Sequence, residues 1–76
     1  MAAAIYNEIA EKRRTLRGLY GGMMNLTDLT RELGLKDKRV AKAWAAQRGI
    51  GNQIGRFVKY ETDQVAKLIV MGRGMV

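Results

Sequence analysis

A mainly α-helical domain with one small β-hairpin is the fold class this sequence predicts. Three observations carry it. Four segments place their apolar residues at helical spacing, i, i+3, i+4. The stretch Ile50 to Tyr60 switches to strand-forming residues on either side of Gly55-Arg56. The chain has 76 residues and no proline, and its nine glycines fall largely at the ends of these segments.

The first helix is expected over roughly Ala2 to Leu19. Its stripe is Ile5, Ile9, Leu16, Leu19 and Tyr20, with Arg13 and Arg17 beside it and Glu8 and Glu11 on the other side. Gly21-Gly22 follows as a linker, and Met23-Met24 as a short apolar step that suits a strand. Thr27 is the expected N-cap of a second helix from Asp28 to Leu33, with Leu29 and Leu33 inward and Gly34 as the left-handed stop. Leu35 would tuck back into the core.

A third helix is expected at about Lys38 to Arg48. With Val40 as origin and roughly 100° per residue, Trp44, Ala43 and Gln47 share its sector, which predicts the buried face. Lys38, Arg39, Lys42, Ala45 and Ala46 then lie outward. Gly49 ends that helix. Gly55-Arg56 suits a two-residue type II′ turn, because its first position accepts a positive φ. Thr62 would cap a last helix with Val65, Leu68 and Ile69 inward, ended by Gly72. The predicted core joins these residues with Leu29, Leu33, Leu35, Val40, Trp44 and Phe57 or Val58. The expected organisation is a helix with its linker over 1–22, a main unit over 23–72, and a flexible tail over 73–76.

Charge narrows the function. Fourteen Lys and Arg face seven Asp and Glu, for a net +7 and a pI near 10.3. The excess sits in the middle: Asn25–Tyr60 has eight basic and three acidic residues, net +5. Such a balance fits a polyanion, nucleic acid first. There is no Cys and no His, so metal ligation through those side chains, thiol nucleophiles and imidazole acid–base chemistry are excluded. No phosphate-cradling loop of the Walker type is present, so an enzyme is not expected, nor any cofactor or metal. The longest apolar runs are far shorter than the roughly 20 residues of a membrane span. A cytoplasmic, nucleoid-associated location is the expectation.

Helix, glycine turn, helix and a hairpin tipped by Arg56 is the order of a winged helix-turn-helix. The second helix of such a pair fits the major groove, and a basic hairpin tip reaches the flanking backbone or minor groove. The predicted DNA contacts are Lys38, Arg39 and Lys42 on the outer helix face and Arg56 and Lys59 on the wing. Arg48 at the helix end joins them, as do Thr27 and Arg31 on the first helix of the pair.

The stretch Leu26-Thr27-Asp28-Leu29-Thr30-Arg31-Glu32-Leu33-Gly34-Leu35 resembles the opening of MerR-like and phage excisionase DNA-binding domains, which read Leu-Thr-x-x-Glu-Leu-Ala-x-x-Leu-Gly-Val there. The run Gly55-Arg56-Phe57-Val58-Lys59-Tyr60-Glu61 and the acidic start of the helix after it are similar to that family's wing and last helix. The family usually has Ser or Thr where this chain has Lys36-Asp37-Lys38, and an aliphatic residue at Trp44. The resemblance implies a double-stranded DNA-binding protein of phage or mobile-element type. It would be an excisionase or a small transcriptional regulator, working with a recombinase or RNA polymerase.

Other readings are a terminase small-subunit-like DNA-recognition domain and a winged-helix protein-interaction adaptor. A membrane-surface helix fits less well, since the first helix carries two acids and little apolar bulk. The apolar stripe of that helix needs cover in water. Either it folds back onto its own domain, or it pairs with a second copy in a homodimer; the homodimer is the expectation.

Overall fold

The structure is a computed structural model and describes residues 2–74. Among the described residues four helices accompany a small antiparallel sheet. The order is α1 (Ala2–Tyr20), β1 (Met23–Met24), α2 (Leu26–Glu32), α3 (Lys38–Gln47), β2 (Asn52–Ile54), β3 (Phe57–Glu61) and α4 (Thr62–Gly74). These elements form two compact units. One is Met23–Glu61, and the other brings α1 and α4 together. The sequence grouped the last helix with the middle unit; here it belongs with α1. Periodicity identifies a helix and its apolar face but not the partner of that face.

In the middle unit the sheet order is β1-β3-β2, with every neighbour antiparallel. The turn behaves as its residues predict. Gly55 has φ +61, and among the described residues no residue other than glycine, Arg56 included, has a positive φ, the type II′ pattern. Ile54 faces Phe57, Gln53 faces Val58 and Asn52 faces Lys59. Tyr60, on the helix side of β3, is the largest fully buried side chain, and Met24, Leu29, Ala41 and Ala45 are buried in the same unit.

Two expectations need correction here. The N-cap of α2 is Asn25, not Thr27. The Asn25 side chain accepts a hydrogen bond from the Asp28 N–H at 2.8 Å, and the Asp28 carboxylate accepts one from the Asn25 N–H at 3.3 Å. That reciprocal pair is a capping box, and it leaves Thr27 inside the first turn. The end of α2 follows expectation: Gly34 has φ +71, and the Leu35 N–H reaches the Thr30 carbonyl at 3.0 Å. Asn25→Ala is expected to lower stability by about 1 kcal/mol, and Thr27→Ala by clearly less. Urea unfolding of the full chain compares them.

The second correction concerns α3. Its buried residues are Ala41 and Ala45, whereas Val40 is 50% exposed and Ala43 and Gln47 are exposed. The face is turned by about one residue from the predicted one. Small residues let the backbone of α3 come close to its neighbours, so close packing outweighs the bulk of Val40. Trp44 is half-buried on the flank, with the Arg48 guanidinium 4.5 Å from its ring centre. The choice between Phe57 and Val58 for the core falls to Val58, which is half-buried, while Phe57 is 65% exposed.

In the helix-pair unit α1 and α4 run antiparallel. Arg17 meets Asp63 at one end, and Glu8 and Glu11 line a hollow with Val70 towards the other. Leu16, Val65, Ala66 and Val70 are buried, and Ile9 is half-buried. The centre of the α1 stripe is thus covered within the chain, because α4 offers it a matching apolar face. Of the two ways to cover the stripe, this is packing within one chain. Ile5 and Leu19, at the ends of the stripe, stay open to water.

Thr62 begins α4, but its hydroxyl donates to the Gly21 carbonyl at 2.7 Å, and its N–H donates to the Gly22 carbonyl at 3.0 Å. The glycine pair is therefore tied to the helix start. Gly72 does not end α4, which runs to Gly74; the rest of the expected tail, residues 75–76, lies outside the described residues.

Arg13 and Arg17, which lie beside the α1 stripe, both hold Asp63. Arg17 binds it through two nitrogens at 2.8 and 2.9 Å, and Arg13 through one at 3.1 Å. The Arg17 hydrogen bonds are the main reason that the Asp63 carboxyl is pushed down to about 2, from an ordinary 3.8. A depressed carboxylate contributes stability above its unfolded value, and that contribution is lost as pH falls. Asp63→Asn should therefore cost about 1 kcal/mol at neutral pH, a modest figure because the pair is water-exposed. The difference from the parent chain should shrink between pH 4 and 2, the interval over which the carboxyl titrates. Thermal unfolding of both chains across that range is the check.

Candidate nucleic-acid interface

The middle unit carries eight Lys and Arg against four Asp and Glu, net +4. Its acids are partly committed to the fold. Asp28 completes the capping box of α2. Asp37 caps α3 by accepting from the Arg39 N–H at 2.8 Å. The Arg39 side chain returns to the same carboxylate at 3.0 Å, and its hydrogen bonds hold Asp37 below the usual carboxylate range.

The shortness of β1 creates the site. Its two residues pair only with Glu61 and Tyr60, and the chain then leaves the sheet at Asn25 to start α2. The edge of β3 from Phe57 to Lys59 is left open on that side. Between this edge, the start of α2 and one flank of α3 lies a concavity of about 400 Å³. Lys38 and Lys42 enter from α3, Arg56 and Lys59 from the turn and β3, and Thr27 from α2. Four cations therefore line one hollow, with no carboxylate among the described residues around it. Like charges are gathered there without internal neutralisation, which leaves them available to an external polyanion.

Five of the eight predicted contact residues thus come together: Thr27, Lys38, Lys42, Arg56 and Lys59. The other three stand apart. Arg39 is on the outward side of α3, tied to Asp37 yet almost fully exposed. Arg48 stacks on Trp44 and donates to the Trp44 carbonyl at 3.0 Å. Arg31 is exposed in the last turn of α2, where a cation favours the helix dipole.

Sequence reasoning missed Phe57, which lines the concavity with the Lys59 ammonium 5.5 Å from its ring centre. The signal was the alternation in Phe57-Val58-Lys59-Tyr60: if Tyr60 faces inward, Phe57 and Lys59 must share the opposite face. Comparison with known proteins finds no match to a family model, a curated protein or a solved structure. No helix among the described residues is long and apolar enough to cross a membrane.

Proposed function

We propose that Met23–Glu61 is a winged helix-turn-helix unit that binds duplex DNA, with α3 in the major groove and the β2–β3 hairpin on the neighbouring backbone or minor groove. The observation that carries this reading is the acid-free concavity, where Lys38 and Lys42 of α3 meet Arg56 and Lys59 of the hairpin. The element order supports it: helix, glycine turn, helix, hairpin. The resemblance of Leu26 to Leu35 and of the wing to MerR-like and excisionase domains points the same way. On this reading the protein is a small phage or mobile-element DNA-binding protein. It acts as an excisionase that serves a recombinase, or as a transcriptional regulator.

The orientation of α3 refines the roles. Ala41 and Ala45 face inward, so Ala43 and Gln47 lie opposite them and are the residues for base edges, while Arg39 beside them is held on Asp37. Lys38 and Lys42 lie on the flank towards the wing and serve phosphates. Lys42→Ala should weaken binding to all sequences alike and reduce the salt slope by about one. Gln47→Ala should instead relax sequence preference at one position, at a cost of about 1–3 kcal/mol on the preferred site. Footprinting on the DNA flanking its own gene, followed by titration of site and scrambled duplexes, tests both. Equal, unchanged affinities for all three proteins would reject the assignment.

A further inference from the structure

One face of the hairpin has no role in the fold. Directly opposed residues on paired strands share a face, so Ile54 lies beside Phe57 and Asn52 beside Lys59. This face points away from that of Val58 and the buried Tyr60. Ile54 is 54% exposed and Phe57 65%. Isolated exposed apolar residues are common on protein surfaces and need no explanation. Here two large ones sit side by side, next to the turn, where nothing among the described residues covers them. Their setting is cationic: Arg56 is in the turn itself, the Lys59 ammonium is 5.5 Å from the Phe57 ring centre, and Gly51 to Tyr60 contains no acid.

An apolar pair bracketed by cations fits a ligand with an anionic rim and an apolar interior. Duplex DNA has that character in its minor groove: phosphates line the rim, and stacked bases lie behind it. Minor-groove proteins commonly insert Phe, Ile or Leu between base pairs and unstack one step. We infer that the Ile54–Phe57 pair is a wedge that enters the minor groove and unstacks one base step, while Arg56 and Lys59 hold the flanking phosphates. This rests on the proposed duplex-DNA function and adds to it a residue-level role for the hairpin. The anionic-membrane alternative shares the charge preference but supplies no stacked bases.

The test uses the full chain and duplexes of its footprinted site, with 2-aminopurine placed at successive positions under the wing. This base fluoresces more strongly when unstacked. The parent protein should raise the fluorescence at one step on saturation. The double variant Ile54→Ala, Phe57→Ala should lose that rise while its affinity falls by no more than about tenfold, because phosphate contacts dominate affinity. Phe57→Leu should retain the rise. Circular dichroism confirms that the variants fold, as expected for exposed positions. Saturable binding with no rise at any position overturns the wedge and leaves the DNA reading standing, as does a rise that survives in the double variant. Binding to no duplex overturns both. Capture on phosphatidylserine vesicles that depends on Ile54 and Phe57, with no change in the duplex signal, assigns the pair to a membrane and also overturns the wedge.

Discussion

Tyr60→Ala is expected to destabilise the middle unit by about 3–5 kcal/mol, the range for removing a buried aromatic ring. Tyr60 is 1% exposed and is the largest fully buried side chain among the described residues. It sits in β3, the central strand of the sheet, paired with Met24 on one side, and its ring stands 3.3 Å from where a side chain at Gly51 would begin. Its loss would open a cavity in the middle unit that the surrounding side chains could close only in part. A domain of this size has only about 5–15 kcal/mol in total, so the variant should be largely unfolded at 37 °C. Trp44→Ala is the informative control. The sequence predicts Trp44 as core, but the ring is half-buried with Arg48 stacked on it. Its loss should cost only about 1–2 kcal/mol, from partial burial and the cation–π contact. Urea unfolding followed by circular dichroism ranks the two, and equal losses would contradict the packing described. Burial also pushes the Tyr60 phenol above its ordinary value. The folded state therefore holds that proton more tightly, and its contribution to stability should fade as pH rises above 10, the ordinary phenol value.

Neutralising Lys38, Lys42, Arg56 and Lys59 together should have the largest effect on binding. Each phosphate contact is worth about 0.9 decade of affinity per decade of salt, so four contacts represent more than about a thousandfold at 0.1 M relative to 1 M salt. The quadruple Gln variant should therefore lose duplex binding by about that factor at 0.1 M while keeping its fold, since none of the four is fully buried. Neutralising Arg31, Arg39 and Arg48 should cost far less. Arg48 is committed to Trp44, Arg39 is tied to Asp37, and Arg31 lies outside the concavity. Fluorescence anisotropy of a labelled duplex measures both sets. A similar loss from each would mean that charge in general, and not this concavity, binds the DNA.

The elements themselves were readable from the chain because glycine and polar capping residues mark their ends. Gly34 stops α2, and Gly55 makes the hairpin turn. What was not readable depends on three-dimensional proximity. The inner face of α3 is built on Ala41 and Ala45, small residues that a hydrophobicity pattern ranks below Val40 and Trp44. The cap of α2 was misplaced by two residues because Thr27 and Asn25 are both good caps. The Asp28 carboxylate, which reaches back to the Asn25 N–H, decides between them. Likewise, the α1 stripe and the α4 stripe are each visible as amphipathic helices, but no spacing rule says that they cover one another. Exposed cations on α3 and the hairpin tip follow from periodicity and turn chemistry, and Met23-Met24 is legible as a short strand step, whereas its pairing with Tyr60 and Glu61, which leaves the edge beside those cations open, is not.

Salt dependence of affinity tests most directly the proposal that the concavity formed by α3 and the β2–β3 hairpin binds the phosphates of duplex DNA. The slope of log Kobs against log salt should be at least about −3.6 for the parent chain, corresponding to four phosphate contacts at about 0.9 each. In the quadruple variant the slope should become shallower by about that amount. A parent slope near zero, or an equal slope in both proteins, would contradict the claim.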